Sequence, residues 1–501
     1  MKKYLLLILM AFVAISCSKE VEVKGKVNGG SPLNRLEIIE ASSINTLPLV
    51  NLGVDKDGFF TGKFTAPKNG MYVISYGGSS GTVYLKAGDK FDFTGNAMTF
   101  PHDLVITGDA KANNDFLKDA QTGFEAYAMK INMEELLKKD EAAFLKEFQK
   151  INDDVNKIFE DGAKKYKADG EVLTYKKNET KARLIGVIDA YEQMHGQIVQ
   201  NPKFTVSEEF NKVRDSYLKD SDNLLKNYPI FREYQLNKLQ GDFQKYSQGL
   251  KMSENPSEQP LFSKIFSDYL KTRKDLSTVA KDYFFSFILT QSDLNFLNYD
   301  KYDQITKLID ESVSDSKIKS DLKQLQKVLM GHEKGYVSTL KIEDKDGKSV
   351  ELSSLKGKPT FVLFYTSWTP NIPITVVPEL KKLNQHYKSN MNFAFVNLDD
   401  TKDQFIKTSG SLFPGIAAQH YWVNGGIDSK SVKDYGIYGF RLPTMILLDK
   451  DGKVIERPFF NIQDPSLVEA MSVVSSIKAP VVAPAAELPP SVEVVPSDSV
   501  K

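Results

Sequence analysis

The stretch that first invites chemistry is Thr366-Ser-Trp368-Thr369-Pro370-Asn371-Ile372, a polar turn set between two apolar segments. Thr369 carries a hydroxyl, and a hydroxyl attacks a substrate only when an adjacent base takes its proton. No base stands near it in sequence, and His386 lies several helical turns further on. The same residue types suit a structural role. Thr is a good helix N-cap, and Pro is favoured at the first helical position. Thr369 and Pro370 are therefore expected to open a helix rather than to attack a substrate.

Sulfur chemistry is constrained more tightly. Thiol–disulfide exchange needs a thiolate that attacks a disulfide, and the 501-residue chain has one cysteine, Cys17. Lys2 and Lys3 precede an apolar stretch from Tyr4 to Ile15, too short to cross a bilayer. Ala14-Ile-Ser-Cys17 then resembles a bacterial lipobox, which implies removal of residues 1–16 and lipidation of Cys17. Two or more acyl chains anchor a protein stably, at about 0.8 kcal/mol per buried methylene. Ser18, where Asp would retain the protein in the inner membrane, implies the outer membrane. The weakly acidic Lys19-Glu-Val-Glu22 favours its periplasmic face. A lipidated Cys17 leaves the mature chain without a free thiol.

Other candidates read as structure. Asp55-Lys-Asp57-Gly58 has the opening of a calcium loop but not the remaining ligands, and fits a hairpin turn. His195 has no cysteine or second histidine nearby and is expected as a polar residue on a helix face. The five histidines are scattered, so no metal and no cofactor is expected. Net formal charge is zero, so no basic excess points to nucleic acid.

The elements that must hold the turn are plain. Thr360-Phe-Val-Leu-Phe-Tyr365 reads as a strand buried on both faces, and Val376, Leu380, Leu383 and Tyr387 recur at helical spacing after it. Asn392 to Leu398 reads as a second central strand. Ile446-Leu-Leu448 and Lys453-Val-Ile455 read as a hairpin across Asp449-Lys-Asp-Gly452. Upstream, residues 17–110 alternate apolar and polar residues in short runs separated by Gly-containing turns, as in an antiparallel β-sandwich. Residues 111–331 carry helical stripes: Phe144, Phe148, Ile151, Val155 and Ile158, then Phe262 to Leu270, then Ile318 to Leu329. Tyr283-Phe-Phe-Ser-Phe287 is expected to be core, with a peptide groove as the alternative. Residues 478–501 are rich in Pro, Ala and Val and read as a disordered or extended tail.

Residues 335–477 resemble the thioredoxin-like domain of TlpA/ResA-type lipoproteins of Bacteroidetes. Phe364-Tyr-Thr-Ser-Trp368 stands where that family writes Phe-Trp-Ala-x-Trp. Pro378-Glu-Leu380 stands at its Pro-x-Leu, and Leu442-Pro443-Thr at its cis-proline motif. The family's Trp is followed by Cys-x-x-Cys. Here Thr369, Pro370, Asn371 and Ile372 follow, and the spacing from Trp368 to Pro378 is one residue longer. The resemblance implies a degenerate active site, with Leu442 and Pro443 as peptide-contact residues.

The expected architecture is thus multidomain α+β, with an N-terminal β-sandwich, a helical middle and a C-terminal thioredoxin-like α/β domain. The expected function is an envelope-anchored, redox-inactive lipoprotein that contacts the membrane through its lipid and binds a protein or peptide. One alternative is a thiol:disulfide oxidoreductase serving redox homeostasis or cytochrome c maturation. Another is a surface glycan-uptake accessory protein.

Overall fold

A computed structural model describes residues 20–480, apart from 252, 254 and 256–258. Cys17, the proposed signal segment and residues 481–501 lie outside the described residues.

Eight strands come first: β1 (Glu20–Asn28), β2 (Arg35–Glu40), β3 (Val50–Gly53), β4 (Phe59–Thr65), β5 (Gly70–Tyr76), β6 (Ser79–Leu85), β7 (Lys90–Asn96) and β8 (Val105–Gly108). They form two four-stranded sheets, ordered β4-β1-β7-β8 and β3-β2-β5-β6. Alternate residues of both sheets meet in one apolar core, including Val21, Val23, Ile38, Phe60, Ile74 and Phe93. The antiparallel expectation fails at one pairing. β1 and β7 run parallel, with Val23 opposite Phe91. The intervening chain passes through the second sheet before β7 returns beside β1, and such a return needs no hairpin. Asp55 Oδ1 accepts from the N–H groups of Asp57 and Phe59, at 2.9 and 2.8 Å. Identical Asp-Lys-Asp-Gly turns at Asp344 and Asp449 do the same. The carboxylate that a cation would need is occupied in folding the turn.

Helices run from Lys111–Ala128 to Ser316–Met330. The helix Glu141–Tyr166 shows why they form. Asp140 caps it, accepting from Ala143 N–H at 2.9 Å. Phe144, Phe148, Ile151 and Val155 are buried, and Lys150–Asp154 and Lys157–Asp161 pair along the wet face. Two expectations are corrected here. Phe262, placed in an apolar stripe, is the first residue of its helix and is 45% exposed. His195 is buried, with Nδ1 2.7 Å from Leu137 O and its ring stacked on Tyr191. Burial needed a partner for the imidazole, and a free carbonyl supplied it.

The third region holds β9 (Lys341–Glu343), β10 (Ser349–Glu351), β11 (Thr360–Tyr365), β12 (Asn392–Asn397), β13 (Gln419–Trp422) and β14 (Thr444–Leu448), in the order β10-β9-β13-β12-β11-β14. β11, β12 and β13 are parallel, and β14 is antiparallel to β11. Each face of this sheet has its own core. Phe361, Leu363 and Tyr365 enter one, and Val362 and Phe364 the other. That is why β11 reads as an unbroken apolar run. The hairpin after β14 forms as expected: Val454 bridges Leu448, Asp449 N–H donates to Lys453 O at 2.8 Å and Ile455 N–H to Leu447 O at 3.2 Å, while Val454 N–H, on the outer edge, donates to Tyr336 O at 2.9 Å in the chain that enters the domain.

Candidate functional site

β11 ends at Tyr365, and the turn Thr366–Trp368 leaves its C-terminal end, where open parallel sheets place their sites. A buried carboxylate fixes the turn. Asp399, just past β12, accepts from Ser367 N–H at 2.7 Å and Ser367 Oγ at 2.9 Å. Its other oxygen accepts from Asn397 Nδ2 at 2.8 Å, and its carbonyl accepts from Trp422 Nε1 at 2.8 Å.

Thr369 does not cap a helix. Its hydroxyl lies 2.7 Å from that of Thr366 and accepts from Thr366 N–H at 3.3 Å, closing the turn backwards. The chain then passes through Asn371 in the left-handed region (φ 62°), which Asn tolerates, into a π-helical turn at Ile372–Val376. The regular helix begins at Val377. Pro378 explains the delay. It has no N–H for the carbonyl of Ile374, and its ring crowds that carbonyl. Val377 N–H reaches back five residues to Ile372 O instead. A π-turn holds one residue more than an α-turn, and so accommodates the extra residue between Trp368 and Pro378.

The expected site residues separate into buried and exposed sets. Trp368 is 9% exposed, and Thr369 and Ile372 are buried; Pro370 and Asn371 are exposed. Leu442 and Pro443 are half-buried and joined by a cis peptide bond. Thr444 pairs with Phe364, which sets Pro443 beside the end of β11 from which the turn departs. Leu442 N–H already donates to Gly439 O at 3.2 Å, so it is not free to receive a peptide.

Trp368 is covered by the N-terminal sheets. The Arg35 guanidinium from β2 stacks over its ring at 4.8 Å. Arg35 also grips Asp400 with two bonds, at 2.7 and 2.8 Å, and donates to Asn51 Oδ1 at 2.6 Å. Asn51 N–H donates to Asp428 Oδ1 at 3.0 Å, and Lys433 Nζ bonds both Asp428 and Leu49 O. Burial raises the Asp428 carboxyl above its usual range despite Lys433, and raises Glu37 beside Asn51 likewise. A Cβ on Gly439 would sit 3.2 Å from both Trp368 and Asn51. The absence of a side chain there lets the segment before Pro443 reach the joint. Trp368 Nε1 is buried without a hydrogen-bond partner.

Sequence reasoning missed Arg35, Asn51, Asp399 and Asp400. The Asp399-Asp400 pair at the end of a central parallel strand was a usable signal. Nothing in sequence could have paired Arg35 with a residue so distant. Among the described residues no group of three or more His, Cys, Asp or Glu side chains could hold a metal ion.

This geometry is that of a thioredoxin-like fold, and residues 333–462 match the Redoxin family model. The chain is 34% identical over 121 residues to the thiol-disulfide oxidoreductase ResA of Bacillus thuringiensis (strain Al Hakam), a match covering 23% of this chain and 63% of that protein. It is 30% identical over 119 residues to the ResA of Bacillus subtilis (strain 168), covering 23% of this chain and 60% of that one. The chain thus spans under two-thirds of the length of these curated relatives. Among solved structures, the C-terminal domain of a putative thiol-disulfide oxidoreductase from Bacteroides thetaiotaomicron aligns with 28% of this chain and 95% of its own, at 23% identity and a TM-score of 0.25.

Proposed function

We propose that this chain is a lipoprotein whose thioredoxin-like domain has left redox chemistry and serves protein binding or scaffolding. The observation that carries the reading is the residue after Trp368. Thr369 stands where the first thiol of a redox relative would be, and its buried hydroxyl is held by Thr366. Neither Ile372 nor Pro373 supplies a second sulfur. Arg35, stacked on Trp368, makes the old site a joint between regions. In this reading the two N-terminal sheets pack as a sandwich whose β2–β3 edge is the cap. Cys17 carries lipid and holds the protein at the periplasmic face of the outer membrane. A protein partner meets what stays exposed beside the joint: Pro370, Asn371 and Ile374, the last 75% exposed.

The names of the relatives favour a second reading, a thiol:disulfide oxidoreductase. It requires either an unlipidated Cys17 acting alone or cysteines supplied by a partner. One assay separates the redox-inactive reading from a chain that carries its own activity. The purified chain is added to insulin and dithiothreitol, and disulfide reduction is followed by turbidity. The expected result is no acceleration over buffer. A saturable, protein-dependent rate would overturn the redox-inactive reading. The anchor is tested separately by incorporation of labelled palmitate, which Cys17→Ser should abolish.

A further inference from the structure

A cavity of about 830 Å³ opens where the three regions meet. Its size is that of small-ligand sites, which favour domain junctions and apolar walls with few polar groups. Phe284 and Val328 form a buried floor. Ile230, Phe287 and Phe440 stand around it with large exposed surfaces, Phe287 at 49% and Phe440 at 55%. The three come from separate parts of the chain, so their convergence is not the leftover of one amphipathic helix.

One cation faces this apolar setting. Arg232, on the helix Pro229–Gln248, lines the cavity and lies with its guanidinium 4.1 Å over the Tyr283 ring. Its Nε donates to Leu225 O, and its Nη2 donates to Ser42 O and Lys226 O at 2.6 and 2.7 Å. Tyr283 and Glu40 act electrostatically on the guanidinium, but it makes no ion pair with a carboxylate among the described residues. Carbonyls fix the guanidinium in place but do not neutralise it. The acids around it have other work. Glu40 is buried against Lys68 at 3.3 Å and accepts from Ser42 Oγ. Asp282 accepts the N–H groups of Ser314 and Asp315, and Asp321 pairs with Lys317. Glu233, on the rim, is exposed to water. A positive charge fixed in an apolar wall is costly to leave unmatched, and a bound anion would match it.

We propose that this cavity binds an amphiphile, a long-chain carboxylate whose head meets Arg232 and whose chain lies against Phe284, Phe287 and Phe440. The test is calorimetric titration of the full chain with dodecanoate below its micelle concentration, with dodecanol as the uncharged control. Dodecanoate should bind with a micromolar Kd, and dodecanol about tenfold or more weakly, the factor that about 1.4 kcal/mol of charge pairing supplies. Phe287→Asp, at an exposed position that the fold does not need, should weaken dodecanoate at least about tenfold with unchanged circular dichroism. Arg232→Gln, if folded, should bring the two probes to similar affinity. If wild type takes dodecanol as well as dodecanoate, or binds neither, or if Phe287→Asp binds like wild type, the assignment is wrong.

Discussion

If Arg35 joins the N-terminal sheets to the degenerate site, Arg35→Met should loosen that joint measurably. The side chain is 8% exposed, and its partner Asp400 is 34% exposed. Breaking a buried ion pair from one side costs about 3–5 kcal/mol. Asp400 can recover part of its hydration, which lowers the expected loss to about 2–3 kcal/mol, including about 0.5–1 kcal/mol for the stack on Trp368. The pair term is isolated by a double-mutant cycle with Asp400→Asn, read on the first urea transition, with an expected coupling of about 2 kcal/mol. A second readout is local. Trp422 stays buried with its Nε1 on Asp399 O. Extra acrylamide quenching in Arg35→Met should therefore come from Trp368. A coupling below about 0.5 kcal/mol, the level of an exposed surface pair, together with unchanged quenching, would refute the idea that Arg35 covers the site.

Three further outcomes follow from buried groups. Asp399→Ala should destabilise the thioredoxin-like domain by about 3 kcal/mol, because Asn397 Nδ2 and the Ser367 N–H and hydroxyl lose their acceptor; a shift under about 0.5 kcal/mol in urea would contradict the role given to Asp399. Burial drives the His332 imidazole, held 2.9 Å from Tyr435 O, down to about 4 from an ordinary 6.5. The unfolded chain takes up the proton first, so the stability due to neutral His332 is full above about pH 6.5 and is lost as pH falls towards 4, about 3 kcal/mol in all. Urea midpoints at pH 7 and 4.5 should fall further for wild type than for His332→Gln, and parallel declines would remove His332 as the cause. Gly331 ends the helix Ser316–Met330 at φ 83°, and an added Cβ would lie 2.3 Å from Pro458 Cδ, so Gly331→Ala should cost at least about 2 kcal/mol by thermal unfolding.

What the sequence made legible was what periodicity encodes. β11 announced itself because both of its faces are buried in separate cores, and the helix Val377–Tyr387 because Leu380, Leu383 and Tyr387 share one face. The residue-level reading of the turn was weaker. Thr369 has the chemistry of an N-cap, but Pro378 removes the regular first turn nine residues later, and the hydroxyl finds Thr366 instead. Local propensity lost to a backbone constraint that the spacing hinted at and did not resolve. The parallel pairing of β1 with β7 was illegible for another reason. Alternation reports which face of a strand is buried but not which neighbour it pairs with.

The joint at Trp368 bears on how such a domain changes its use. A redox thioredoxin-like site must stay open, because the attacking sulfur has to reach a disulfide on another protein. Where no sulfur stands beside it, a flat apolar indole at the end of β11 is surface that gains by being covered. Here the cover is a cation from β2, fixed by Asp400 and Asn51. Asn371, in the left-handed region, and the π-turn that begins at Ile372 keep the four positions after Trp368 off a single regular helical turn. Cover and backbone act on different parts of the site. Placing sulfur there with Thr369→Cys and Pro373→Cys would undo neither.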